Sequence, residues 1–177
     1  SVVPRRGAPP PIRFSAMADA SDSAADSWRQ HLLDDDAAIG ALLARVRRIA
    51  VLGIKTPDGS PPAHYVPLAA QRAGYEIVPV PVYFPDVDTF LGAPAYRRLA
   101  DVPPPIDLVV VFRRPTDIPA HLDDLRAARP RAVWMQSGIR HAAVAETLAR
   151  EGIDVVQDRC LMVEIAHHGA RPPADDA

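Results

Sequence analysis

A single cysteine, Cys160, stands in the 177 residues, so no internal disulfide framework and no Cys-rich zinc site can form. A reducing, cytoplasmic setting is the expectation that follows. Charge of one sign is equally scarce: 20 Lys and Arg face 22 Asp and Glu, a formal net charge of -2. Nucleic-acid binding rests on clustered positive charge, whereas these arginines are interleaved with aspartates as on a solvated surface. No nucleic-acid partner is expected. No apolar run approaches the roughly 18 to 20 residues that cross a bilayer, so no membrane association is expected either.

Catalytic and metal motifs are missing as well. None of the histidines shows the i, i+4 spacing of a helical metal site, and the aspartates at 34–36 and 123–124 fall on helix caps or faces, so no metal is expected. Without a Gly-x-Ser-x-Gly elbow, Ser137 reads as a turn residue rather than a nucleophile. No catalytic residue is assigned.

The hydrophobic content, 48%, supports one well-buried domain. Residues 1–25 are expected to be a disordered extension: Ser1–Ala16 carries Pro9-Pro10-Pro11, lacks the apolar core of a secretory signal, and precedes Met17, which reads as a natural start. Residues 167–177, from His167-His168 onward, lose all pattern and are expected to be a disordered tail. Residues 26–47 read as a helical segment packing on the domain, with a short helix opened by Asp26-Ser27-Trp28. A second helix, capped by Asp34–Asp36, places Ile39, Leu42, Leu43 and Val46 on one face.

Residues 48–166 form the domain. Five apolar runs, Ile49–Leu52, Tyr75–Val82, Asp107–Phe112, Ala132–Gln136 and Ile153–Val156, read as strands. Helical patterns separate them: one from Pro62 to Gly74, tightened or kinked at Pro67; one capped by Thr116 or Asp117 with Ile118, Leu122 and Leu125 inward; one with Val144, Ala145 and Leu148 inward and Gly152 as its stop. This alternation implies an α/β fold, a doubly wound, mainly parallel five-stranded sheet of Rossmann-like form. The segment from Tyr83 to Pro105 reads as a loose, proline-broken connection.

In such a sheet the ligand lies beyond the carboxyl ends of the strands. Four loops converge there: Gly53 onward, Val80-Pro81-Val82, Phe112–Pro115 and Gln136-Ser137-Gly138. The first belongs to Arg48–Tyr65, a strand running through a Gly/Pro/Thr-rich turn into a helix start, where free backbone N–H groups and the helix dipole can cradle a phosphate. A dinucleotide fits poorly, since Ile54 and Lys55 stand where G-x-G-x-x-G requires its tight turn and no acid follows the second strand. The Walker pattern is absent too. Lys55 suits a phosphate as a point charge.

Several segments together resemble the stand-alone CoA-binding domain proteins, whose Rossmann-like fold is shared with the N-terminal CoA-binding domain of the succinyl-CoA synthetase alpha subunit. They are Ile49-Ala-Val-Leu-Gly53 with Pro62-Ala-His-Tyr-Val66, Val78-Pro-Val-Pro81, Leu99-Ala-Asp-Val-Pro103, Asp107-Leu-Val-Val-Val-Phe-Arg113, Val133-Trp-Met-Gln-Ser-Gly138 and Asp158-Arg-Cys-Leu-Met162. The resemblance implies a coenzyme A or acyl-CoA ligand. Gly53, Ile54, Lys55 and Thr56, with Ala63, His64 and Tyr65 at the helix start, would receive its phosphates. Val80 and Pro81 would lie beside the nucleotide or pantetheine, and Phe112, Arg113 and Arg114 would form another wall. Gln136, Ser137 and Gly138 would sit near the thiol end. Ile54-Lys55-Thr56 and Pro61 depart from the Gly-Ala/Leu-Ser and arginine of many relatives, and Lys55 is the candidate for the missing arginine's charge.

The implied role is a non-catalytic binding, carrier or regulatory module. Two alternatives stand beside it: a small NADP(H)-dependent oxidoreductase with Lys55 and Arg113 on the 2′-phosphate, and a thiol-redox protein in which Cys160 forms a mixed disulfide with CoA. Structural roles weigh against the single residues. A lone cysteine is most often a small buried apolar group, and Trp134 and Met135 read as core. Protein partners are unknown.

Overall fold

The computed structural model describes residues 2–4, 7 and 25–169. Nearly all of the expected N-terminal extension, and the tail beyond 169, lie outside the described residues.

Strands β1 (Arg48–Leu52), β2 (Glu76–Val80), β5 (Leu108–Val111), β6 (Ala132–Met135) and β7 (Asp154–Val156) form one sheet in the order β2-β1-β5-β6-β7. Every pairing is parallel. The five apolar runs are these five strands, four of them trimmed by one or two residues at an end and the first extended by Arg48. Because both sheet faces are covered, the strands are continuous apolar stretches rather than alternating ones. Ile49, Val51, Ile77, Leu108, Val110 and Trp134 face one core cluster, and Ala50, Leu52, Val78, Val109, Val111 and Met135 face the other.

Helices α1 (Asp36–Arg45), α2 (Pro62–Arg72) and α5 (Leu161–His168) cover the first face; α3 (Leu122–Ala128) and α4 (Ala142–Arg150) cover the second. Asp35 caps α1 by accepting from the Ala38 N–H at 2.8 Å. At the amino-terminal edge of the sheet, buried Asp107 accepts from the Arg47 and Arg48 N–H groups at 3.0 and 2.9 Å. Strand order reverses between β1 and β5, which places the switch point at Gly53 and Phe112.

Three expectations are corrected. The helix expected from Thr116 or Asp117 begins as a 3-10 turn, Pro115–His121, with Pro119 inside it, and becomes α-helical only at Leu122. The connection from Tyr83 to Pro105 is built rather than loose. It carries the hairpin β3 (Thr89–Phe90) and β4 (Ala93–Pro94), and the Arg97 guanidinium donates to the carbonyls of Tyr83, Phe84, Pro85 and Val87 at 2.6 to 3.4 Å. His167 and His168 are the last turn of α5, which ends at Gly169 in the left-handed conformation (φ 59°). The Leu161 and Ile165 pair on its inner face, both buried, supplies the packing that the pattern beyond 165 lacks. Among the described residues no helix is long and apolar enough to cross a membrane.

Candidate functional site

At the carboxyl end of the sheet, the β1–α2 loop, the start of α2, the loop after β5, the turn after β6 and the first turn of α5 enclose a cleft of about 690 Å³. Of the residues singled out in the sequence, Lys55, Ala63, Tyr65, Phe112, Arg113, Arg114, Gln136, Ser137, Gly138 and Cys160 line it. The remaining walls are Pro61, Pro62, Val66, Pro115, Ile139, Met162 and Val163. Met162, Val163 and Ile139 were not assigned to the site from the sequence. For Met162 and Val163 the signal was present in the Leu161/Ile165 spacing and the Gly169 stop, which together define a short helix whose first turn had to pack near the strand ends, and for Ile139 in its place directly after the Ser137-Gly138 turn.

Gly53, Ile54, Thr56, His64, Val80 and Pro81 are not cleft walls. Ile54 is buried in the core. Val80 and Pro81 are buried at the end of β2, where the Val80 carbonyl accepts from the Gly53 N–H at 2.9 Å. Thr56 Oγ1 turns to Asp58 at 3.3 Å. His64 sits half-buried in the first turn of α2.

The loop is a weaker cradle of N–H groups than its sequence promised. The Gly53 N–H is spent on Val80, and the Lys55 N–H donates to Ala63 O at 3.2 Å. Pro61 and Pro62 have none to offer, and the His64 and Tyr65 N–H groups both return to Pro61 O. That leaves Ala63 as the first-turn donor free to meet a ligand. Pro67 explains the Lys55 bond: lacking an N–H, it cannot bond the carbonyl four residues earlier, and that carbonyl is Ala63 O. The helix-internal proline therefore anchors the site loop to α2.

Positive charge replaces backbone donors. The Lys55 ammonium has no ion-pair partner among the described residues. Arg114 is exposed and paired with Asp117 at 2.9 Å. Arg113, by contrast, is packed down. Its Nε donates to His121 Nε2 at 3.2 Å, Nη1 reaches the Tyr83 hydroxyl at 3.4 Å, Nη2 lies 3.6 Å from Asp117, and the guanidinium stands 5.4 Å from the Tyr83 ring centre. Hydrogen bonding from Arg113 holds the Tyr83 phenol below its ordinary range. The turn after β6 is fixed by Asp158, which accepts from the Gly138 N–H at 2.7 Å; that bond lowers the Asp158 carboxyl.

Burial, then the neighbouring Arg113 charge, pushes the His121 imidazole below its ordinary value of 6.5. The folded chain thus favours neutral His121, whose ring nitrogen accepts from Arg113. Its contribution to stability is whole above about 6.5 and is lost as pH falls through that value towards the lower folded one. Urea midpoints taken from pH 7.5 to 5 are expected to fall less steeply for His121→Gln, which keeps an acceptor without a proton to gain, than for the parent chain. Parallel slopes would mean that His121 does not titrate in this window.

Comparison with known proteins follows the same outline. The sequence profile described as CoA binding domain matches residues 47–166. YneT, an uncharacterized protein of Bacillus subtilis (strain 168), is 36% identical over 132 residues, covering 74% of this chain and 93% of YneT. A solved structure from Thermus thermophilus is 41% identical, superposes with a TM-score of 0.70, and is matched over 99% of its length and 76% of this chain. A hypothetical protein from Pyrococcus horikoshii OT3, 24% identical, shares the fold with a TM-score of 0.70 over 77% of this chain and 94% of its own.

Proposed function

We propose, from the premise that this chain belongs to the CoA-binding domain family, that it is a non-catalytic module binding coenzyme A or an acyl-CoA in the cleft at the strand ends. The observation that carries this reading is the presence within one cleft of Lys55, an ammonium with no ion-pair partner among the described residues, of an apolar wall of Pro61, Val66, Phe112, Ile139 and Met162, and of Cys160. A ligand that is anionic at one end, with a thin and largely apolar arm and a thiol or thioester at the other, offers a counterpart for each of these surfaces. The cleft volume is also within the range of about 300 to 1,000 Å³ usual for small-molecule sites.

In this reading Lys55 and Ala63 N–H meet phosphate oxygens, and Arg114 adds an exposed charge at the rim. Arg113 shapes the wall through Tyr83 and His121 more than it reaches for the ligand. CoA would supply its own thiol chemistry, and the protein's part is to bind, orient and shield it. One feature supports the thiol-exchange alternative at the same site: Cys160 lines the cleft. There its thiolate would attack a CoA disulfide, forming a protein–CoA disulfide and releasing one CoA thiolate.

Thermal unfolding with CoA, acetyl-CoA, NAD, NADP and CoA disulfide at matched concentrations tests these readings together. A ligand at a hundredfold its Kd adds about 2.7 kcal/mol to stability. CoA or acetyl-CoA is expected to raise the midpoint and the two nicotinamide dinucleotides to leave it unchanged, with Lys55→Ala weakening the effect about tenfold, as loss of one charge-assisted contact would. Stabilisation by NADP and not by CoA overturns the proposal. A mass adduct of one CoA with CoA disulfide, absent in Cys160→Ser, would add the exchange reaction.

A further inference from the structure

Away from the cleft, the carboxyl end of α5 meets the start of α1 in a group of imidazoles and carboxylates. One ligand atom from each of Asp36, His167 and His168 lies within 4.8 Å of the others. His167 Nε2 stands 4.0 Å from Asp36 Oδ2, and His168 Nε2 stands 3.3 Å from Glu164 Oε2. Those last two atoms are buried, yet neither has a hydrogen-bond partner of acceptable geometry. From this arrangement we infer a binding site for one divalent transition-metal ion, with Asp36, His167 and His168 as its protein ligands and Glu164 Oε2 as the carboxylate beside the His168 ring.

Arg159 prepares the carboxylates for that role. Its Nη1 takes Glu164 Oε1 at 3.3 Å and Asp36 Oδ1 at 3.7 Å, leaving the second oxygen of each on the side of the imidazoles. Outer partners that fix ligating carboxylates in this way are a regular part of metal sites. Asp34 lies 3.5 Å from the same guanidinium, so three carboxylates face one arginine. With neutral imidazoles the group carries two negative charges in excess, which a divalent cation balances.

Gly40 is a second, independent sign that the imidazole position is built in. It lies in the interior of α1, where glycine costs about 1 kcal/mol against alanine. A Cβ there would come within 2.7 Å of His168 Nδ1. The glycine lets the ring rest directly on α1 with Nε2 turned towards Glu164.

Mixed imidazole and carboxylate donors suit zinc, cobalt, nickel or copper rather than magnesium or calcium. Tetrahedral zinc with bonds of about 2.0 to 2.1 Å sets its ligand atoms about 3.3 Å apart, closer than the 4.0 Å between His167 Nε2 and Asp36 Oδ2. The residues that must draw in, Asp36 and His167, are exposed at the surface. Bound metal would pin α5 to α1, and the first turn of α5 carries Met162 and Val163 of the cleft.

The test is titration of the metal-free full chain with Co²⁺, read by its visible absorption, and with Zn²⁺, read by calorimetry. One equivalent is expected to bind, and the affinity to fall at least tenfold both in Asp36→Asn, which leaves the core untouched, and in the His167→Gln/His168→Gln double variant. Zn²⁺ should raise the thermal midpoint of the parent chain and not that of Asp36→Asn. Absence of uptake by the parent chain, or parental affinity retained in both variants, which would assign binding to the other four histidines, overturns the site. So does a Zn²⁺-induced rise that survives in Asp36→Asn.

Discussion

Gly53→Ala is expected to lower the unfolding free energy by about 2 to 5 kcal/mol, read as a shift of the urea midpoint, through left-handed strain and overpacking together. Gly53 has φ of +87°, and a Cβ built on it falls 2.5 Å from Phe112 O and 3.4 Å from Arg113 Cδ. Neither side of this contact can yield. The Phe112 N–H is bonded to Leu52 O and the Gly53 N–H to Val80 O, each at 2.9 Å, so the ends of β1, β2 and β5 are locked together at the switch point. Gly59→Ala isolates the two causes: Gly59 also has positive φ, +76°, but nothing lies within 4 Å of its Cβ position. Backbone strain alone should cost that variant about 1 to 2 kcal/mol. Equal losses at the two positions would mean that the close approach to Phe112 contributes nothing. A weakened ligand response in Gly53→Ala is also expected, since any shift of Phe112 and Arg113 moves a cleft wall.

Gly53 illustrates what a sequence can and cannot carry at such a site. The glycine after an apolar run marks a sharp exit from a strand, and that much was legible, as were the five strands themselves, because burial on both faces writes each as an unbroken run of Val, Ile and Leu. The destination of the Gly53 N–H was not legible, because its acceptor, Val80 O, belongs to a strand more than twenty residues later. The same holds for Lys55: its N–H meets Ala63 O only because Pro67, read in the sequence as a kink, leaves that carbonyl without its helical partner. Side-chain charges suffered similarly. Arg113 and Arg114 look equivalent in the chain, yet Tyr83, His121 and Asp117 immobilise the first and leave the second at the surface. The start of α5 escaped because its outward residues include the exposed apolar Val163, which blurs the amphipathic pattern of an eight-residue helix. A residue's place at a strand end was therefore local information. Its freedom to bind was not.

Gln136→Leu is expected to cost about 2 to 3 kcal/mol, somewhat more than an exposed helix cap, because it strands a buried donor. Gln136 is buried at the end of β6, and its Oε1 accepts from the Leu161 N–H at 2.8 Å. Cys160, the N-cap residue of α5, supplies no side-chain cap bond. Gln136 thus serves as the cap of α5 from across the fold, tying the strand that ends at the cleft floor to the helix that forms one of its walls. Leucine conserves the volume closely and removes the acceptor, so the loss measured in urea reports the bond rather than a cavity. Gln136→Glu separates the bond from the cleft electrostatics. A carboxylate still accepts from Leu161 and sits favourably at a helix N-terminus, so most of the stability should return. Its negative charge on the floor of the cleft should nonetheless weaken an anionic ligand several-fold, an effect that shrinks as salt screens it. If Gln136→Glu bound CoA as tightly as the parent chain at low salt, the anionic part of the ligand would have to lie far from Gln136, at the Lys55 end of the cleft. If it lost as much stability as Gln136→Leu, the Leu161 bond would not be what holds α5 in place.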